Sequence, residues 1–154
     1  EDTYGLNTAE IGLAIVAVGA VEVIATLGSS RLTDRLGKRR SMFGGALLMT
    51  SALMVLAAYS TPPLWLGLLI LVTAFLGFEY GIVSALPLIS ELDPGARAAM
   101  VGRAISISTV IRALVTLLAT AIYVSQGFAT LMMVASGIGI IAVLLAAFFM
   151  VEPA

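Results

Sequence analysis

The chain has 154 residues, of which 60% are hydrophobic and 11% charged, and its net charge is −1. A soluble domain of this length needs far more polar surface, so this composition, with a mean hydropathy of +1.11, points to an integral membrane protein. Cys and His are both absent, which excludes disulfides, thiolate chemistry and the usual zinc sites.

A helix needs about 20 apolar residues to cross the hydrocarbon core. Segments at roughly 9–30, 41–60, 64–90, 96–123 and 128–151 meet that need. They are continuously apolar rather than alternating, which favours helices over a closed barrel. The expected fold class is an all-α, polytopic membrane protein with five transmembrane helices.

The chain opens at Glu1 and Asp2, without a signal peptide, and reads as a piece of a longer protein. Helix 1 carries Glu22 on a stripe with Gly19, Thr26 and Ser29. The loop after it is basic: residues 30–40 hold five cations and one carboxylate. Helix 2 has no charge within the membrane, and Tyr59, Ser60, Thr61, Pro62 and Pro63 form a neutral break after it. Helix 3 carries Glu79 between Gly77 and Gly81, a GxxxG pair suited to close helix packing. Glu79 is two residues from each glycine and so points to the opposite face.

The next loop, 91–97, is mixed in charge; Asp93 is a candidate N-cap and Pro94 a candidate first helical residue. Helix 4 carries Arg112 on a stripe with Ser108, Thr116 and Thr120, four residues apart. Ser125, Gln126 and Gly127 form a neutral turn, and helix 5 is uncharged.

Seven of the eight cations lie in or beside the first and third loops. Lys and Arg stay on the cytoplasmic side, so those loops face inward, the start of the chain faces out and its end faces in. Trp65, Tyr59 and Tyr123 then fall at the outer interface as an aromatic belt. A charge at bilayer centre costs roughly 2.5–3.5 kcal/mol, so it faces a bundle interior or a water-filled cavity. Helices 1, 3 and 4 are therefore expected inside, with helices 2 and 5 toward lipid. Glu79, Arg112, Glu22, Thr116 and Ser108 are the candidate substrate- or proton-binding residues. The plainer readings are a structural ion pair of Glu79 with Arg112, hydroxyls that bond their own backbone, and a basic loop that only sets orientation.

The basic loop resembles the signature of the major facilitator superfamily of secondary transporters, Gly-x-x-x-Asp-Arg-x-Gly-Arg-Arg between two helices. The match is Asp34, Arg35, Gly37, Lys38 and Arg39; Ser30 stands where the family usually has Gly, and Lys38 where an Arg often stands. Glu91, Pro94 and Arg97 resemble the acidic-to-Arg turn that follows the fourth or tenth helix of such proteins. The resemblance implies that the two loops interact to lock one conformation, with Glu91 and Arg97 pairing with Arg35 or its basic neighbours and Asp34 approaching a helix N-terminus. It also implies twelve spans in two halves, each half two inverted three-helix repeats. Five spans match a half that lacks its first helix. The C-terminal half is favoured, and a truncated N-terminal half is the alternative.

The general look resembles bacterial efflux permeases, which places the protein in an inner membrane. The Gly-Pro antiporter signature of many drug exporters is absent. The implied function is alternating-access transport of a small solute, with no cofactor and H+ as the coupling ion. The implied partners are the substrate, the lipid bilayer and the missing other half, with no nucleic acid. Low dielectric disfavours the charged form of a carboxylate, which suits such a group to carrying a proton. Sugars, drugs, amino acids and organic anions all fit a lining of Glu, Arg, Ser and Thr. An intramembrane enzyme or a membrane scaffold is the alternative, the first disfavoured by the lack of His, Cys and any paired acid cluster.

Overall fold

The computed structural model describes residues 5–59 and 61–149, without the side chains of Ser30 and Phe149. The family position held by Ser30 and the two chain ends assigned to opposite sides of the membrane thus lie outside the described residues. The described residues are helical apart from short connections, with α1 at Thr8–Leu36, α2 at Lys38–Ala58 and α3 at Leu64–Glu91. The remaining run, Arg97–Phe149, breaks at Gly127 (φ 83°, ψ 176°). We number its two parts α4 (97–126) and α5 (128–149). Each of the five is long and apolar, as the hydropathy of the sequence requires.

The ends of the elements correct the sequence reading in three places. The basic segment 31–40 is not a loop: α1 continues to Leu36, and α2 begins at Lys38. Arg and Leu are good helix formers, so nothing before Gly37 stops the helix. Gly37 does so with a positive φ of 87°, and its N–H donates to the Thr33 carbonyl at 2.9 Å. Such a φ is open to glycine at little cost. The turn at 125–127 contracts to Gly127 for the same reason. Asp93 is not an N-cap: its Oδ1 accepts from the Gly95 N–H at 3.0 Å, closing a tight turn before α4 starts at Arg97. An Asx side chain readily bonds the backbone two residues on, and that turn delays the helix past Pro94.

At the other end of the molecule, Asn7 and Glu10 form a reciprocal capping box on α1. Pro63 precedes α3, and its carbonyl accepts from Leu66 and Gly67 at 2.9 Å.

Packing centres on α2. Against α3 the two backbones meet at glycines. A Cβ on Gly45 would lie 2.5 Å from the Gly81 nitrogen and 2.6 Å from the Gly77 carbonyl oxygen. The GxxxG pair of α3 is thus spent on α2. On its other side α2 meets α5, where a Cβ on Gly139 would lie 2.6 Å from Thr50 Oγ1. Ala52, Leu56, Ile70 and Ala74 form a buried cluster between α2 and α3, with Leu66 and Met132 against it.

Within this chain the charge-bearing helices are not the most enclosed ones. α2 is the most enclosed helix of this chain, while α1 and α4 present most of their side chains outward. Small residues, not the absence of charge, decide what α2 touches, because only they let backbones approach. Tyr59, Trp65 and Tyr123 are exposed at the end of the bundle opposite the basic segment, the arrangement an aromatic belt requires.

Candidate functional site

The site follows from the two faces of α3. Gly77 and Gly81 turn toward α2, so Glu79 turns toward α1. There Thr26 Oγ1 lies 2.8 Å from Glu79 Oε1. The same oxygen lies 2.9 Å from the Glu22 carbonyl, one turn back along α1. Thr26 has one hydroxyl proton and two acceptors in reach. Glu22 is itself half-exposed on this stretch of helix. A second polar contact between the same helices lies nearer the basic end, where Thr33 and Ser84 hydroxyls are 2.7 Å apart and buried. Buried hydroxyls need such partners, so these contacts fix the register of α1 on α3.

Arg112 does not pair with Glu79. Its guanidinium carbon lies 6.0 Å from the centroid of the Phe78 ring, at the outer limit of a cation–π contact. Phe78 precedes Glu79 in the chain but points about 100° around the helix from it, so this contact is separate from the carboxylate's contact with α1. The hydroxyls of the Arg112 stripe serve their own backbone. Thr116 donates to the Arg112 carbonyl at 2.8 Å and Thr120 to the Thr116 carbonyl at 2.9 Å. Ser108 is exposed on the same helix. The structure therefore brings Thr26, one turn from Glu22 on α1, against Glu79, holds Arg112 and Phe78 as a separate contact, and leaves Ser108, Thr116 and Thr120 as the outward face of α4.

The basic end forms a second centre. Lys38 Nζ is ion-paired with Glu91 Oε1, which is the single salt bridge among the described residues. This contact ties the start of α2 to the end of α3 and meets the expectation that Glu91 pairs with a basic neighbour of Arg35. Arg39 Nη2 donates to the Ala147 carbonyl at 2.8 Å, satisfying an acceptor in the last turn of α5. Tyr80 donates to the buried Ser41 hydroxyl at 2.7 Å. Asp34 and Arg35 are exposed in the last turn of α1, and Asp34 places no side-chain cap on α2. Arg97 is exposed at the start of α4 and forms no ion pair among the described residues; as a cation it has no opposite charge to offer Arg35 or its basic neighbours.

Sequence spacing put Thr26 on the stripe of Glu22 but not against Glu79. Phe78, Arg39 as a cap on α5, and Ser84 had no signal beyond their apolar or charged character.

Two helix pairs joined around Gly37 and the 92–96 turn, with Lys38 and Glu91 bridging them, set the resemblance in three dimensions. The family model described as Major Facilitator Superfamily matches residues 1–154. The chain belongs to the Major Facilitator Superfamily. No curated protein and no solved structure matches it. Membership supports a general secondary transporter function for this integral membrane chain, and members of the family are transporters rather than enzymes. Such a protein contacts lipid and a small-molecule substrate.

Proposed function

We propose that the chain, residues 1–154, is part of the C-terminal half of a proton-coupled secondary transporter of the bacterial efflux-permease type. It works by alternating access in the inner membrane, with the basic end cytoplasmic. Substrate binds near mid-membrane between this half and the other half of the same transporter, and no cofactor is needed.

The observation that carries this reading is the separation of roles on α3. One face is consumed by glycine packing on α2, and the other presents a membrane-embedded carboxylate to Thr26 of α1. An intramembrane carboxylate is costly, and a structural helix would not need it where glycines already make the contact. The hydroxyl of Thr26 gives the carboxyl two hydrogen-bonding states. Protonated Glu79 donates to Thr26, which then donates to the Glu22 carbonyl. Ionised Glu79 competes with that carbonyl for the one proton of Thr26. Uptake or release of H+ therefore rearranges a contact between two helices, which is the kind of two-state element alternating access uses. Arg112, beside Phe78, is the candidate partner for an anionic group of the substrate.

The outward apolar faces of α1 and α4, with Leu27 72% exposed and Leu117 70% exposed, fit a surface that the other half covers. The Lys38–Glu91 bridge serves as a latch that breaks as the halves rock.

The test is transport by the parent protein in liposomes loaded with a pH dye, over a panel of sugars, drugs, amino acids and organic anions. Substrate-dependent proton flux is expected in the wild type and is abolished in Glu79→Gln at equal expression. Substrate movement without proton flux, or a mutant that matches the wild type, removes Glu79 from the mechanism.

A further inference from the structure

α1 is an apolar helix held to the bundle by hydroxyls. Its buried side chains, among the described residues, are Ser29 and Thr33, 2% and 5% exposed. Every residue from Thr8 to Gly28 is at least partly exposed. In lipid, apolar contact gives no hydrophobic drive between helices, so polar and small residues decide where a helix is fixed. Thr33 meets the fully buried Ser84, with the two hydroxyls 2.7 Å apart. Either hydroxyl can donate, so the pair stays satisfied when its surroundings change. One turn on, the Gly37 N–H donates to the Thr33 carbonyl and the chain turns into α2. α3 is a fixed frame for this base, because Gly77 and Gly81 close on Gly45 and Tyr80 donates to Ser41. The contact of Thr26 with Glu79 is of another kind: Thr26 is exposed, and its one proton is shared between two acceptors. Of the other ionisable groups on the packed helices, Glu22 lies one turn from Thr26 on α1, Tyr80 turns to Ser41 of α2, and Arg112 of α4 lies by the Phe78 ring.

We infer that the Thr33–Ser84 pair is the fulcrum of α1. The outer part of the helix tilts against α3 about this pair as the Thr26–Glu79 contact is made and broken. The lever arms follow from the helix rise of ~1.5 Å per residue. Thr26 lies roughly 10 Å from Thr33 along the axis, and Leu13 lies roughly 30 Å from it. Opening a hydrogen bond takes a displacement of about 1 Å. The ratio of the arms turns that into about 3 Å at Leu13. A slide of the whole helix would instead separate Thr33 from Ser84 and leave two buried hydroxyls unpaired, which is costly. The tilt is delivered to the outward face of α1, the face proposed above to meet the other half. This inference rests on the reading of Thr26–Glu79 as the contact that switches, and the pivot itself does not require a proton to drive it.

The test is dipolar electron paramagnetic resonance on the parent protein in liposomes, with spin labels on introduced cysteine pairs. Residues 1–154 hold no native Cys to compete for the label. Leu13→Cys with Leu69→Cys reads the outer ends of α1 and α3, and Leu36→Cys with Leu92→Cys reads the base; all four positions are exposed. Thr26→Val is expected to lengthen the outer distance by about 3 Å and to leave the base distance unchanged. Adding Ser84→Ala is expected to broaden the base distance as well, whereas Thr33→Ser, which keeps the hydroxyl, leaves it narrow. Thr26→Val alone carries the test if Ser84→Ala fails to fold. Three results overturn the inference: an outer distance that Thr26→Val leaves unchanged, outer and base distances that shift equally, or a base distance that Ser84→Ala does not affect. Proton flux in the same liposomes separates this inference from the reading it rests on. A Thr26→Val variant that tilts with undiminished flux retires the coupling role and keeps the fulcrum; lost flux without tilt retires the fulcrum and keeps the coupling.

Discussion

Replacing Gly45 with Ala adds one methyl group to α2 where no room exists. The new Cβ would stand 2.5 Å from the Gly81 nitrogen, 2.6 Å from the Gly77 oxygen and 2.7 Å from the Gly81 Cα. Ordinary contact begins near 3.4 Å, so the shortfall is 0.9 Å (3.4 − 2.5). All three neighbours are backbone atoms and cannot rotate away, so the helices themselves must separate. A gap of 0.5–1 Å forfeits roughly a quarter to a half of each dispersion contact, and the Ala52–Ala74 cluster lies on the same interface. Overpacking costs about 1–3 kcal/mol, and rigid neighbours place this site toward the upper end. Against it stands a helix-propensity gain of about 1 kcal/mol for Gly to Ala. Gly44 is the internal control: a Cβ there meets nothing within 4 Å, and it receives the same gain. The difference between the two variants isolates the clash, and we expect Gly45→Ala to be less stable than Gly44→Ala by about 2–3 kcal/mol. Unfolding in mixed micelles with a rising fraction of denaturing detergent measures it. The two glycines of the GxxxG pair should also differ. Gly77→Ala meets the Met49 nitrogen at 2.5 Å, whereas Gly81→Ala meets nothing closer than 3.6 Å. Equal stability of Gly45→Ala and Gly44→Ala would refute the close crossing of α2 and α3.

Two further outcomes test the site. Thr26→Val removes the hydroxyl while keeping the shape of the side chain. Losing a hydrogen bond of about 1–2 kcal/mol should slow proton-coupled transport about five- to thirtyfold in liposomes, and Thr26→Ser should restore most of it; a Val variant as fast as the wild type ends the role of Thr26. Lys38 and Glu91 are each about a third exposed, at 37% and 34%, so solvent screens their pair, and a double-mutant cycle should give a coupling of only about 0.5–1 kcal/mol that shrinks at high salt. Coupling that persists unchanged in high salt would mean the pair acts through something other than charge.

Much of the site was legible because helical geometry is local. The two-residue offset between Glu79 and the glycines of its own helix placed the carboxylate on the face opposite the packing seam, and the structure agrees. The pairing of Glu91 with a basic neighbour of Arg35 was implied by the family resemblance, and Lys38 is that neighbour. What stayed hidden was every contact that depends on the relative height of two helices. A slide of one turn would move Thr26 past Glu79 or Thr33 past Ser84, and no single-helix pattern fixes that slide.

The sequence by itself determined a membrane protein of five apolar helices, the charged end of the bundle and the residues expensive enough to need a purpose. Hydropathy and charge act residue by residue, so they are written in the chain. Only the tertiary structure decided that α1 runs through the basic segment to Gly37, that α2 packs against α3 at Gly45, Gly77 and Gly81, and that Arg112 lies at the limit of contact with Phe78 instead of pairing with Glu79. Those outcomes depend on where two backbones can approach within a methyl group of each other. That is a property of Gly45, Gly77 and Gly81 together and of none of them alone.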